Sequence, residues 1–465
     1  MKALQRVRTH VPGLDELLGG GLLESGVYFV RGKPGTGKTT LANQLCFGQV
    51  RDGRQAIYIT LLAESHVRMM QNMLGQSFFD QAAVPERMNY VSGYRDLESR
   101  GLRGVIELLR AEAGRMNAGV AVIDGIVLPR QANADDSRAL KQFVHELQSL
   151  AAFLGCVVLM VSSGTGSSAD AEQTMVDGIL TLADEAHGMR AERTIEISKF
   201  RGGRTSRGRH AYCITDDGVH VFPRLESTLE DAPARHGSGM VSLGLAGLNG
   251  LFASGGVPCD SVTLVEGPGG TGKTLLGLQF LSACTADEPG LLFGFHERAS
   301  ALVRAGDGVG LALAALVQSG ALELRTPTPG DDPLDQLGHQ LLRRVEERRV
   351  RRVVIDSLAG FADKSTFGER GYRFLDALWS RLRRAGACTL VTSDPGALIA
   401  LGCGHLAAGI PALADQVVRL THGEPGHDVR LVKARGQAHA ASAWRLNMGA
   451  RGLAVGPASA PSGGR

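Results

Sequence analysis

Two segments of the chain have the residue pattern of a phosphate cradle. Residues 32–39 read GKPGTGKT and residues 267–274 read GPGGTGKT, and both fit GxxxxGK[ST]. Gly35 and Gly37 in the first segment, and Gly270 and Gly272 in the second, let the backbone turn several N–H groups toward one point. Set at the start of a helix, such a nest attracts oxyanions through its amides and the helix dipole together. Lys38 and Lys273 would reach the β- and γ-phosphates of a nucleoside triphosphate, and the Thr39 and Thr274 hydroxyls would ligate Mg²⁺. Thr36, Thr40, Thr271 and Leu275 complete the two ATP-contacting segments. One glycine-rich turn with Gly-Lys-Thr can arise by chance. Two, with lysines 235 residues apart, indicate a repeated ATP site.

Further chemistry-bearing residues recur at nearly that interval. Asp124 ends the apolar run VAVID and Asp356 ends VVID, 232 residues apart, where an acid beside the loop can hold the Mg²⁺ shell as a Walker B aspartate. Glu64 in AESHVR and Glu297 in HERASA, 233 apart, could polarise the attacking water. The competing reading is a surface glutamate opening a helix, where the dipole favours acids. KFRG and KARG place Lys199 with Arg201, and Lys433 with Arg435, 234 residues apart and late in each copy. Alternating along a strand, each pair would share a face; a cation lent by a neighbouring subunit can stabilise transition-state charge. Read singly, a basic edge strand is a solvated face. Yet only eight of the chain's 50 basic residues are lysines, and four of those eight sit at matched positions.

Those residues need a frame. Apolar runs at 27–31, 56–60, 120–124, 156–162 and 193–198, and again at 261–266, 291–295, 353–356, 388–392, 416–420 and 428–433, alternate with helical patterns. This predicts two tandem α/β domains of RecA-like P-loop type, each a mostly parallel sheet covered by helices on both faces. The expected boundaries are 1–232 and 237–450, with 451–465, rich in small residues, Pro and Gly, as a disordered tail. RRVEERRVRR (343–352) reads as the solvated face and end of a helix, and GGRTSRGR (202–209) as a connecting loop. A net charge of +3 and 5% aromatics give no nucleic-acid signature, and no apolar run is long enough to span a membrane. Seven cysteines without a CxxC pair argue against a disulfide framework or zinc ribbon. A cytoplasmic protein is expected.

The paired loops, the paired KxRG segments, the openings VRTHVPGLDELLGGGLLESGVYFVRGKPGTGKTT and MVSLGLAGLNGLFASGGVPCDSVTLVEGPGGTGKT, and the closing ITDDGVHVFP (214–223) together resemble the KaiC family of RecA-like ATPases. The resemblance spans about residues 5–450. It implies a homohexamer of two stacked rings with ATP at subunit interfaces. It also implies that Lys199, Arg201, Lys433 and Arg435 serve the adjacent protomer's nucleotide, and that Thr215 and Asp216 face its adenosine. The family carries two adjacent acids after its second strand; here Ala63 precedes Glu64 and His296 precedes Glu297. The adjacent Ser-Thr phosphoacceptors of its autokinase members correspond to Pro411 and Ala412, and no Ser, Thr or Tyr occurs from Asp394 to Leu420.

The resulting expectation is a slow Mg-ATP hydrolase acting as a signalling or regulatory switch, a homohexamer whose assembly depends on ATP, with an unidentified regulatory protein partner. Three rivals follow in order. A serine/threonine protein kinase of the family would label protein with the γ-phosphate. A scaffold would use ATP only to order its ring. A RecA-like recombinase or helicase would bind DNA with steep salt dependence.

Overall fold

The computed structural model describes residues 5–62, 66–126, 134–163, 175–187, 190–227, 239–327, 330, 332–364, 370–423, 426–438, 443–449 and 452–457. The chain divides into two compact units, Met1–Thr228 and Leu229–Arg465. Each is built on its own nine-stranded sheet.

In the first unit the strands are β1 (Val27–Arg31), β2 (Gln55–Thr60), β3 (Met88–Ser92), β4 (Ala118–Asp124), β5 (Val157–Ser162), β6 (Gly178–His187), β7 (Arg190–Phe200), β8 (Arg209–Thr215) and β9 (Gly218–Phe222). Their spatial order is β9-β8-β7-β6-β1-β5-β4-β2-β3. From β6 through β1 to β3 all neighbours run parallel; β6 to β9 form an antiparallel meander at one edge. The parallel part needs cover on both faces, and the strand VYFVR supplies it by alternation. Tyr28 and Val30 join one buried layer with helix α1 (Lys38–Arg51), while Val27 and Phe29 join the other with α2 (Tyr94–Met116) and α3 (Ala134–Leu154). Each fully buried side chain of this size contributes about 1.5–3 kcal/mol relative to exposure.

The second unit repeats the plan with β10 (Val262–Glu266), β11 (Gly290–Gly294), β12 (Leu322–Arg325), β13 (Arg352–Asp356), β14 (Cys388–Ser393), β15 (Gln416–His422), β16 (His427–Ala434), β17 (Trp444–Gly449) and β18 (Gly452–Pro457), in the order β12-β11-β13-β14-β10-β15-β16-β17-β18. Helix α4 (Lys273–Leu281) follows β10, and α5 (Leu334–Arg348), α6 (Arg370–Arg384) and α7 (Gly404–Leu413) follow in turn.

Three expectations are corrected. The tail is not wholly structureless: Gly452–Pro457 is strand β18, paired antiparallel with β17 over Trp444–Gly449. Residues 458–465 lie outside the described residues. The basic stretch 343–352 is not uniformly solvated. Arg344 and Arg348 both bind Glu323 at 2.9 Å, and Arg352 is buried at the head of β13, its guanidinium over the Phe280 ring and donating to the Ser242 carbonyl at 2.9 Å. Finally, Arg201 and Arg435 each fall one residue beyond β7 and β16, so strand alternation does not set their direction. Among the described residues no helix is long and apolar enough to cross a membrane.

Candidate functional site

Both phosphate loops connect a strand to the helix that follows it, β1 to α1 and β10 to α4. Gly35, Gly37, Gly270 and Gly272 have φ of 85°, 84°, 79° and 91°, a left-handed conformation that side chains with a Cβ resist. Gly37 and Gly272 are also the residues that open α1 and α4. Inside the first loop the Thr36 hydroxyl donates to the Lys33 carbonyl at 2.9 Å; inside the second, Thr271 donates to Pro268 at 2.9 Å.

Close approach fixes Gly32 and Gly267 as well. A Cβ on Gly32 would stand 2.3 Å from the Leu182 carbonyl oxygen, and one on Gly267 would stand 2.4 Å from that of Leu420. Gly32→Ala is therefore expected to distort the first loop and lower its ATP affinity by tenfold or more, given the ~1–3 kcal/mol cost of such overpacking. In a titration with ATP, one of the two sites per chain should weaken by that factor; two sites of unchanged affinity would overturn this expectation.

The lysines lie along their own loops. Lys38 Nζ donates to the Lys33 carbonyl at 2.8 Å, and Lys273 Nζ donates to the Gly267 and Pro268 carbonyls, both at 2.7 Å. Burial pushes both ammonium groups below their usual pKa, opposed by Asp124 in the first unit and by Asp394 and Asp356 in the second. Asp394 escaped the sequence reading; its side chain accepts from Gly396 N–H at 3.0 Å and Ala397 N–H at 3.2 Å at the start of the helix after β14.

Asp124 and Asp356 close strands β4 and β13 at the loop end of each sheet. Thr39 Oγ1 donates to Asp124 Oδ2 at 3.3 Å, and Thr274 Oγ1 to Asp356 Oδ2 at 2.8 Å. Burial raises the Asp124 pKa, against hydrogen bonds from Tyr58, Thr39 and Gly125 and the charge of Lys38. A hydroxyl and a carboxylate brought together beside a phosphate loop are the hard oxygen donors that Mg²⁺ accepts. Among the described residues no group of three His, Cys, Asp or Glu could hold a metal by itself. Mg²⁺ is usually bound by one or two protein oxygens together with nucleotide phosphates, and each Thr–Asp pair offers such oxygens. The residues therefore fit Mg-ATP in both units.

Glu297 and His296 are exposed just beyond β11, whose last residue Gly294 pairs with Asp356. Glu297 is thus on the loop edge of the second sheet. Glu64 lies outside the described residues, as does Ala63.

The KxRG segments run toward the other end. Lys199 pairs with Ile179 and Ile179 with Phe29, so Lys199 is level with the middle of β1, and Arg201, which follows Phe200 and donates to the Asp177 carbonyl, is level with its beginning. Likewise Lys433 pairs with Val417 and Val417 with Leu264 at the middle of β10, while Arg435 donates to the Asp415 carbonyl beside the start of β10. In both units a β-bulge precedes the lysine: Ile179 opposes Lys199 while Leu180 opposes Ile197, and Val417 opposes Lys433 while Val418 opposes Leu431. Bulges re-aim side chains. Here the skipped residues, Ser198 and Val432, are again 234 apart.

A second repeated feature went unread in the sequence. The Asp177 carboxylate accepts from Val27 N–H at 2.9 Å and its carbonyl from Arg201 N–H at 2.6 Å; Asp415 accepts in the same way from Val262 N–H at 3.0 Å and Arg435 N–H at 2.8 Å. The guanidinium of Arg201 lies 4.0 Å from Asp177, and that of Arg435 lies 3.4 Å from Asp415. The only signal was an aspartate before GIL and before QVV at a similar offset, easily mistaken for a turn residue. Lys433 Nζ also donates to the carbonyls of Pro411 (3.0 Å), Ala412 (3.0 Å) and Ala414 (2.7 Å) around the end of α7. Burial and Arg435 lower its pKa, and burial and Arg201 lower that of Lys199; Asp415 and Asp177 act in the opposite sense.

Thr215 and Asp216 part company with the lysine–arginine pairs. They form the β8–β9 turn, where Ser77 N–H donates to the Asp216 carbonyl at 2.7 Å. A Cβ on Gly37 would meet neighbouring Ile214 at 2.4 Å, so this turn borders its own phosphate loop.

Comparison with known proteins agrees with this duplicated architecture. The model of the KaiC ATPase matches residues 7–226 and again 241–460. The chain is 27% identical over 377 residues to the circadian clock oscillator protein KaiC of Picosynechococcus sp., covering 78% of this chain and 72% of that one. It is 24% identical over 482 residues to the circadian clock protein KaiC3 of Synechocystis sp., covering 97% and 92%. With the KaiC ATPase matched twice across nearly its full length, and two complete P-loop units to account for the match, the chain belongs to the KaiC family of ATP-binding P-loop proteins.

Proposed function

We propose that the protein is a slow Mg-ATP hydrolase of the cytoplasm. In this reading it assembles with ATP into a homohexamer of two stacked rings and acts as a regulatory switch on a protein partner. The observation that carries the reading is the separation of two cationic elements within each unit. Lys38 opens the helix beyond the loop end of β1, whereas Lys199 is two strands away and level with Phe29 at the middle of β1, and Arg201 is level with its beginning. Two strand spacings of about 4.8 Å put roughly 10 Å of sheet between β1 and the strand of these cations, before the further distance along strand and loop. A cation that far away cannot neutralise its own unit's γ-phosphate, but a second copy can bring it to the site. Lys433 and Arg435 stand in the same relation to Lys273.

Thr39 and Asp124, and Thr274 and Asp356, would hold Mg²⁺, which neutralises phosphate charge and keeps the transferred group in line. The loop amides and lysines orient the triphosphate. Glu297, and Glu64 in the first unit, would each polarise the attacking water, with Lys-x-Arg from the adjacent copy meeting the charge that develops. Ala63 and His296 remove one acid from each pair, which favours slow turnover over a motor's pace. The regulatory role draws on the relatives, which are circadian clock proteins.

Native mass measurement, with phosphate release followed in parallel, tests the reading. Six-copy assemblies formed with Mg-ATP, together with slow phosphate release, are expected. A chain that stays monomeric with Mg-ATP, or releases no phosphate, would overturn it.

A further inference from the structure

The two units hold their metal-side aspartates from opposite neighbours in the sheet. In the first unit the Tyr58 phenol, fully buried on β2, donates to Asp124 Oδ2 at 2.6 Å. In the second, the Thr392 hydroxyl on β14, also fully buried, donates to Asp356 Oδ1.

Strand register establishes that these donors are not counterparts. Tyr58 opposes Val122, two residues before Asp124, and the residue opposing Val354, two before Asp356, is Leu292. Across the other neighbour, Asp124 opposes Val161, whereas Ile355 opposes Val391, which sets Thr392 beside Asp356. The first copy thus has Tyr58 and Val161 where the second has Leu292 and Thr392. Each copy has a side-chain hydroxyl at one of the two positions and an aliphatic side chain at the other. The hydroxyl has changed strands, and the carboxylate is gripped in both.

That grip has a chemical use. Thr39 and Thr274 now donate to the aspartates, but a hydroxyl that ligates Mg²⁺ must turn its lone pair to the ion and its proton elsewhere. A carboxylate losing that donor needs another to keep its oxygens aimed, and partners behind a metal site set its affinity.

We propose that Tyr58 and Thr392 are positioning residues, each aiming the Mg²⁺-side aspartate of one ATP site only. The inference rests on the Mg-ATP reading above and deepens it.

The test uses the full chain with Mn²⁺ and ADP, following Mn²⁺ binding by electron paramagnetic resonance and metal-free ADP binding by calorimetry. Asp124→Asn and Asp356→Asn assign the two Mn²⁺ classes to the two units. Tyr58→Phe is expected to weaken the first class about tenfold and Thr392→Val the second, each leaving the other class unchanged. Metal-free ADP affinity should stay at its original value, which a merely structural defect would lower as well. Thr392→Ser should keep the second class intact. Tyr58→Leu with Val161→Thr, which moves the second unit's hydroxyl into the first, should restore most of the first class. If the asparagine variants each remove a class while Tyr58→Phe and Thr392→Val move neither, the positioning role fails and the metal sites stand. If the asparagine variants leave Mn²⁺ binding unchanged, the metal-site reading fails and this inference with it.

Discussion

Replacing Lys38 and Lys273 together with alanine is expected to lower ATP affinity at both sites by about 100-fold or more and to prevent ring formation. Each ammonium is a charge-assisted donor aimed along a phosphate loop, and hydrogen bonds to charged groups contribute about 1.5–3 kcal/mol apiece. Two such bonds per site correspond to about two to four decades in Kd. Both lysines are also partly withdrawn from water, so the triphosphate would meet cations that solvent has already released in part. Ring assembly should fail in parallel, because in the proposed arrangement the nucleotide bridges two copies. A fluorescent ATP analogue reads the first effect and native mass the second. Wild-type affinity with intact six-copy rings in the double variant would refute the interface arrangement.

The other large effect concerns the lysines of the KxRG segments. Lys199→Ala with Lys433→Ala is expected to leave the loops able to bind ATP but to cut turnover by about 10³-fold, the lower end for a cation supplied across an interface. Mixing protomers provides the sharper measurement. A Glu64→Gln/Glu297→Gln variant lacks the groups that polarise water but keeps bound ATP and the finger; the Lys199/Lys433 variant has the reverse deficit. A mixed ring contains some boundaries where an intact glutamate faces an intact finger, so turnover should reappear on mixing. Unimpaired turnover of the Lys199/Lys433 variant alone would show that these lysines take no part in it, and persistent inactivity of the mixture would show that they serve only their own unit. Such a purely internal role has a visible basis in Lys433, whose three contacts around the end of α7 would have to break before it could act elsewhere.

Much of this architecture was legible because it repeats. Glycine spacing announced the loops, and apolar runs ending in Asp124 and Asp356 announced the strands beside them. Buried parallel strands are easy to recognise when they are nearly continuous in Val, Ile and Leu. The antiparallel edge was harder. β8 reads RHAYCIT and β18 reads GLAVGP, and neither contains the apolar run that marked the central strands. Their identity comes from pairing with a neighbour, which no local pattern records. The same holds for Arg352, whose burial depends on Phe280 and Ser242 elsewhere in the chain. Tyr58 and Thr392 were invisible for another reason: each looks like an ordinary strand residue until register places it against an aspartate. Repeat comparison could not find them either, since the two copies solve the same problem with different strands.

The paired aspartates at 177 and 415 have a mechanical consequence. Each fastens the head of the strand that carries a phosphate loop to the arginine following Lys199 or Lys433. In the proposed ring, a short rod would therefore join the pocket of one subunit to the cation it offers next door. There, any tug that a triphosphate exerts on one end would be delivered to the other with little slack, and around a closed circle of copies no pocket would be filled or emptied privately.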